Sequence, residues 1–107
     1  MSNTVEVTDA TFTDVVINSP KPVLVDYWAD WCSPCKQLSP IIDELAAAHG
    51  DKVTFAKMDT NANPQVPASQ GIMSLPTLQV WQGGQVVNVL TGSKSKAALL
   101  KALAEYL

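Results

Sequence analysis

The run Val23-Leu24-Val25-Asp26-Tyr27-Trp28-Ala29-Asp30-Trp31-Cys32-Ser33-Pro34-Cys35-Lys36 holds the transition that decides the fold. Its first six residues are apolar at both parities except for Asp26, the pattern of a central strand covered on both faces. Pro20-Lys21-Pro22 separates this strand from what precedes it. From Ser33 to about His49 the period turns helical, with Leu38, Ile41, Ile42 and Leu45 on one stripe and Gly50 as a C-terminal stop. Pro34 falls early in that helix, where a missing N–H costs little, whereas Pro40 falls inside it and predicts a kink. Cys32 and Cys35 therefore leave the C-terminal end of a buried strand and open a helix, the place where open α/β sheets carry their sites.

Upstream, Phe12, Val15 and Val16 recur at helical spacing and predict a first helix over about Thr8 to Asn18, with Thr8 as N-cap and Asp9 in the first turn. Downstream, Val53 to Met58 reads as a strand, and Asn61 to Gly71 as loop with a short helical piece. Thr77 to Trp81 and Gln85 to Leu90 flank Gln82-Gly83-Gly84, a hairpin signal. Ser95 to Leu107 reads as an amphipathic helix with Ser95 as N-cap. The order, strand, helix, strand, helix, strand, short helix, hairpin, helix, predicts an α/β protein. Its central mixed β-sheet is parallel with an antiparallel hairpin at one edge, and helices flank both faces. No internal repeat or low-complexity tract interrupts it.

At 107 residues, 47% hydrophobic and 16% charged, the chain is expected to form one domain over 1–107 with a packed core that needs no metal or disulfide framework. All seven basic residues are lysines, unclustered between Lys21 and Lys101, and the net charge is -3. With no basic stripe and no arginine for bidentate contacts, nucleic-acid binding lacks electrostatic support. No apolar run approaches the roughly 20 residues of a spanning helix, which argues against a membrane role. The N-terminus lacks a basic flank followed by an apolar stretch, so it does not read as a secretory signal and a cytoplasmic protein is expected. A mature form with its signal already removed would read the same.

The chemistry concentrates in the cysteine pair. At a helix start, unpaired N–H groups and the helix dipole favour negative charge, so the Cys32 thiol should ionise more readily than a free cysteine, and the thiolate is the attacking species. Two intervening residues bring Cys35 within reach of a disulfide with Cys32. A purely structural disulfide is the plainer reading, but so short a loop gains little from closure. A structural zinc site would need more ligands than two cysteines and the lone His49, which reads as a solvated residue favourable to a helix C-terminus.

The chain resembles the thioredoxin family, and the resemblance runs essentially throughout: from Phe12 through Asp26, Trp28 and the cysteine motif to Pro40, Lys57, Asp59, Leu75-Pro76-Thr77, Gly84 and Gly92. It implies the thioredoxin fold and a thiol–disulfide oxidoreductase with no cofactor beyond a redox-active disulfide. Cys32 would be the nucleophile and Cys35 the resolving thiol. The partners implied are disulfide-containing proteins as substrates and a thioredoxin reductase as electron donor, for a protein acting as a monomer. Pro76 is implied to be a cis-proline facing the cysteines.

Asp26 shares a face of its strand with Leu24 and Trp28, and burial there would raise its pKa toward useful values, making it the candidate proton acceptor for Cys35. Lys57, on a neighbouring strand by analogy, would modulate it. Trp31, Pro34, Leu75, Pro76 and Gly92 would form a shallow apolar surface for an extended peptide, oriented by backbone pairing at Leu75. Trp28 reads as ordinary packing. The chain departs from the family at Ser33, where glycine is usual; Ser74 and Ser93 would likewise make the rim more polar.

Two other classes share these features. An oxidant or isomerase uses the same cysteine spacing, but more often carries a histidine between the cysteines, so Ser33-Pro34 favours a reductant. A non-enzymatic binding module would tolerate Cys32→Ser and Cys35→Ser without loss of biological activity.

Overall fold

The computed structural model describes residues 3–107. Within them the sheet comprises β1 (Val5–Glu6), β2 (Val23–Trp28), β3 (Thr54–Asp59), β4 (Thr77–Gln82) and β5 (Gln85–Thr91). The strands lie in the order β1-β3-β2-β4-β5. β3 runs parallel to β1 and β2, while β4 runs antiparallel to β2 and β5. The helices are α1 (Ser33–His49), α2 (Gln65–Ser69) and α3 (Lys96–Leu103). This is the mixed α/β arrangement expected from the sequence, with β2 at its centre.

Alternation along β2 sorts two apolar layers, because successive side chains of a strand point to opposite faces. Leu24 packs with Leu38, Ile42 and Leu45 of α1 and with Leu99 and Leu103 of α3. Val23, Val25 and Tyr27 pack on the other face with Phe12, Val16, Met58 and Trp81. Asp26 has the parity of Leu24, so it is carried onto the α1 side and buried there.

In the second layer a polar group is fully used. Gln79 Oε1 accepts from Tyr27 Oη at 2.7 Å and from Trp81 Nε1 at 3.0 Å. The Trp81 ring meets Phe12 edge-on at 5.4 Å.

The expected first helix is much shorter than Thr8 to Asn18: only Thr13–Ile17 is helical, as a single π-helical turn closed by Asn18 N–H donating to the Thr13 carbonyl at 2.9 Å. β-branched residues crowd this stretch at Thr11, Thr13, Val15, Val16 and Ile17, which works against a regular helix. Thr8 does cap a turn, exchanging hydrogen bonds with Thr11. Asp9 serves another element: its carboxylate accepts from the N–H groups of Gln65 and Val66, at 3.1 and 2.8 Å, at the start of α2.

α1 continues through Pro40 to His49. Gly50 follows it with right-handed helical angles, φ -63° and ψ -17°, so the stop does not use the left-handed conformation usual for a terminal glycine. The last helix is divided: Ser95 Oγ caps α3 by accepting from Ala98 N–H at 3.1 Å, and a tighter 3₁₀ turn takes over at Ala104–Tyr106.

The hairpin joins β4 to β5 through Gly83 and Gly84, both at positive φ, 62° and 79°, the requirement of a two-residue turn matching strand twist. Val80 pairs with Asn88 but Trp81 with Val86, so Val87 is an extra residue that bulges the edge strand. No helix among the described residues is long and apolar enough to cross a membrane.

Candidate active site

β2 ends at Trp28, and three residues later the chain turns into α1 with Cys32 as the N-cap residue. Cys32 and Cys35 are joined in a disulfide, with Cα atoms 5.3 Å apart. Cys35 N–H points at Cys32 Sγ, 3.2 Å away. That donor, on the first turn of a seventeen-residue helix, favours negative charge on Cys32 sulfur in the dithiol form. Pro34 occupies the first turn without disturbing the bond, since it has no N–H to orient.

Both cysteines are buried, but their surroundings differ. Trp31, Ser33 and Pro34 flank Cys32 and are exposed, Trp31 to 68%. Ser33 Oγ has no hydrogen-bond partner among the described residues, so the residue that departs from the family pattern faces outward. Cys35 instead lines a cavity of about 210 Å³ that it shares with Asp26, Trp28, Ser39 and Lys57. Such a volume is ample for water.

Asp26 is 1% exposed, and its Oδ1 has no hydrogen-bond partner. Burial raises its pKa from 3.8 to about 7, opposed by the positive charge of Lys57 and assisted by the negative charge of Asp43. The expected acidity shift is thus present, and desolvation is its main cause. Lys57 pairs with Asp26 in strand register. Its ammonium reaches to α1, donating to Ser39 Oγ at 2.7 Å and to Asp43 Oδ1 at 2.9 Å. Sequence reasoning passed over Ser39 and Asp43. Their spacing of four residues on a helix facing the strand that holds Lys57 was the available signal.

Leu75 packs against the cluster of Ala29, Cys32 and Cys35, as does Trp28. The Leu75–Pro76 peptide is cis, as the resemblance implied. Gly92, at φ 80°, donates its N–H to the Pro76 carbonyl at 2.9 Å, so the loop before β4 and the end of β5 are clasped. Ser74 and Ser93 are exposed, and Ser74 accepts through its carbonyl from Thr77 Oγ1 at 2.7 Å. Asn61 was also missed: its Oδ1 accepts from Trp31 Nε1 at 3.4 Å while its Nδ2 donates to Asp30 at 3.2 Å. His49 lies at the far end of α1 from the cysteines. No group of His, Cys, Asp and Glu suited to a metal ion occurs among the described residues.

A family model described as Thioredoxin matches residues 3–105. The chain is 43% identical to Thioredoxin 1 of Nostoc over 107 residues, the full length of both. It is 48% identical to a thioredoxin of Streptomyces clavuligerus over 95 residues, covering 89% of this chain and 88% of that one. It is also 46% identical over 102 residues to a Mycobacterium leprae protein described as bifunctional thioredoxin reductase/thioredoxin, covering 95% of this chain and 22% of that protein.

Proposed function

The chain belongs to the thioredoxin family, and from that premise we propose that this thiol–disulfide oxidoreductase works as a reductant of protein disulfides. The observation that carries the reading is the Cys32–Cys35 disulfide at the first turn of α1, with the Cys35 N–H directed at Cys32 Sγ.

In the dithiol form, the Cys32 thiolate attacks one sulfur of a target disulfide. A Cys32–target bond forms and the first target thiolate departs. Cys35 then gives its proton to the Asp26 carboxylate, directly or through water admitted by the cavity they share. The resulting Cys35 thiolate attacks Cys32 Sγ, which restores the disulfide and expels the second target thiolate. Two electrons pass to the target and this chain's pair is oxidised. An acceptor with pKa about 7 suits the task, since proton transfer is most effective when the acceptor's value lies near the working pH.

Trp31, Ser33, Pro34, Ser74, Leu75, Pro76 and Gly92 would line the surface that receives an extended segment of the target, a reading supported by the packing of Leu75 against the pair. Lys57 acts on the charge state of Asp26. A thioredoxin reductase would return the electrons; the reductase/thioredoxin fusion among the relatives supports that donor. The working form is a monomer, a single domain over 1–107 acting in the cytoplasm, without nucleic acid or membrane.

Equilibration of the pair in glutathione buffers tests the direction. The expected potential lies at or below the cytosolic glutathione poise of about -220 to -260 mV. A potential well above that range transfers the protein to the oxidant or isomerase class. Alkylation supplies a second check, with Cys32 reacting faster at neutral pH than an ordinary peptide thiol.

A further inference from the structure

We propose that Asp43 and Ser39 are positioning residues for the resolving step, holding the Lys57 ammonium on α1 so that it does not pair with Asp26. The inference rests on the reading of Asp26 as proton acceptor and adds the device that keeps it competent.

The geometry begins in the sheet. Asp26 and Lys57 are register partners on adjacent parallel strands, about 5 Å apart along the hydrogen-bonding direction. A lysine stem can fold back onto such a neighbour or extend to the helix covering it. Here it extends: Nζ lies 2.7 Å from Ser39 Oγ and 2.9 Å from Asp43 Oδ1. Ser39 and Asp43 are four residues apart on α1 and so present one receiving face. Asp26 Oδ1, meanwhile, accepts no hydrogen bond.

The charged groups around Asp26 come from few directions. β3 contributes Lys57, and α1 contributes Asp43. Lys36 and Asp30, both exposed, line the same cavity. The β4 neighbour in register is apolar Leu78. The choice of partner by Lys57 is therefore the main adjustable charge beside the carboxylate. Close pairing with an ammonium favours the ionised carboxylate and makes it a poorer proton acceptor. Engaging the ammonium elsewhere preserves basicity, and Asp43 reinforces this by its own negative charge.

The test measures Asp26 itself, by carboxyl carbon NMR across pH in the full oxidised chain, alongside the pH profile of mixed-disulfide resolution. In Asp43→Asn the Asp26 midpoint should fall by about one pH unit or more, the size expected when an ammonium moves beside a carboxylate. Ser39→Ala should move it the same way by less, and Asp43→Glu should restore the parent midpoint. In a Lys57→Gln background, Asp43→Asn should lose most of its effect. An unmoved or raised midpoint in Asp43→Asn, with the fold intact by circular dichroism, overturns the proposal, as does an equal shift when Lys57 is absent. A lowered midpoint with an unchanged resolution profile upholds the anchoring and overturns instead the role of Asp26 as acceptor.

Discussion

Asp26 is a carboxyl group that the fold keeps protonated at a pH where its unfolded counterpart is ionised. Its pKa is 3.8 in the ordinary case and about 7 in the protein, raised by burial. Between those values the folded chain holds a proton that the unfolded chain has released, so this group's contribution falls as pH rises through the interval and levels off above it. At about 1.4 kcal/mol for each pH unit, the cost above pH 7 is on the order of 4 kcal/mol. Asp26→Asn, neutral at every pH, should therefore unfold in urea with roughly 2–4 kcal/mol more stability than the parent at pH 8, shrinking to nothing near pH 4. A constant difference across that range would mean that the carboxyl is not titrating as described. The same variant should resolve mixed disulfides more slowly at neutral pH. Cys32, Cys35 and Asp26 were legible in the sequence because each breaks the pattern of its surroundings. Ser39 and Asp43 were not, because polar residues on a helix surface usually mark nothing more than solvent.

Helix ends account for most of what local pattern missed. Asp9 looked like a first-turn residue of its own helix, yet its carboxylate accepts from the Gln65 and Val66 N–H groups more than fifty residues away. Side-chain capping across the fold leaves no local trace, so periodicity alone could not find it. Asp9→Ala should cost about 1–2 kcal/mol in chemical denaturation, the usual penalty for losing a cap. Hydrogen exchange should localise the loss to residues 65–69, with Asp9→Asn intermediate; full protection of α2 in Asp9→Ala would show the contact to be idle. Strands and hairpin fared better. Apolar runs bounded by Gly and Pro signals lay within one residue of β2, β3, β4 and β5, because strand burial and turn chemistry are both written locally.

Across the molecule, stability depends on two apolar layers that meet at the sheet, and the layer away from the cysteines contains a polar knot. Gln79 accepts from both Tyr27 and Trp81, and burial pushes the Tyr27 phenol further up, so it remains a donor. Gln79→Leu would leave two buried donors without an acceptor and should destabilise by roughly 2–4 kcal/mol. Urea unfolding followed by tryptophan fluorescence would measure this; a loss below about 0.5 kcal/mol would show the knot to be dispensable. The active pair sits across the sheet, so its redox behaviour should change little in the same variant.

β5, one of the two edge strands of the sheet, carries Val86, Val87 and Val89, each more than a third exposed. A straight, apolar border of this kind invites neighbouring copies to add on rung by rung. The extra residue at Val87 interrupts the ladder there, twisting the margin and breaking its rhythm of donors and acceptors. Crowded copies of the molecule thus meet no flush rail along β5 on which to stack.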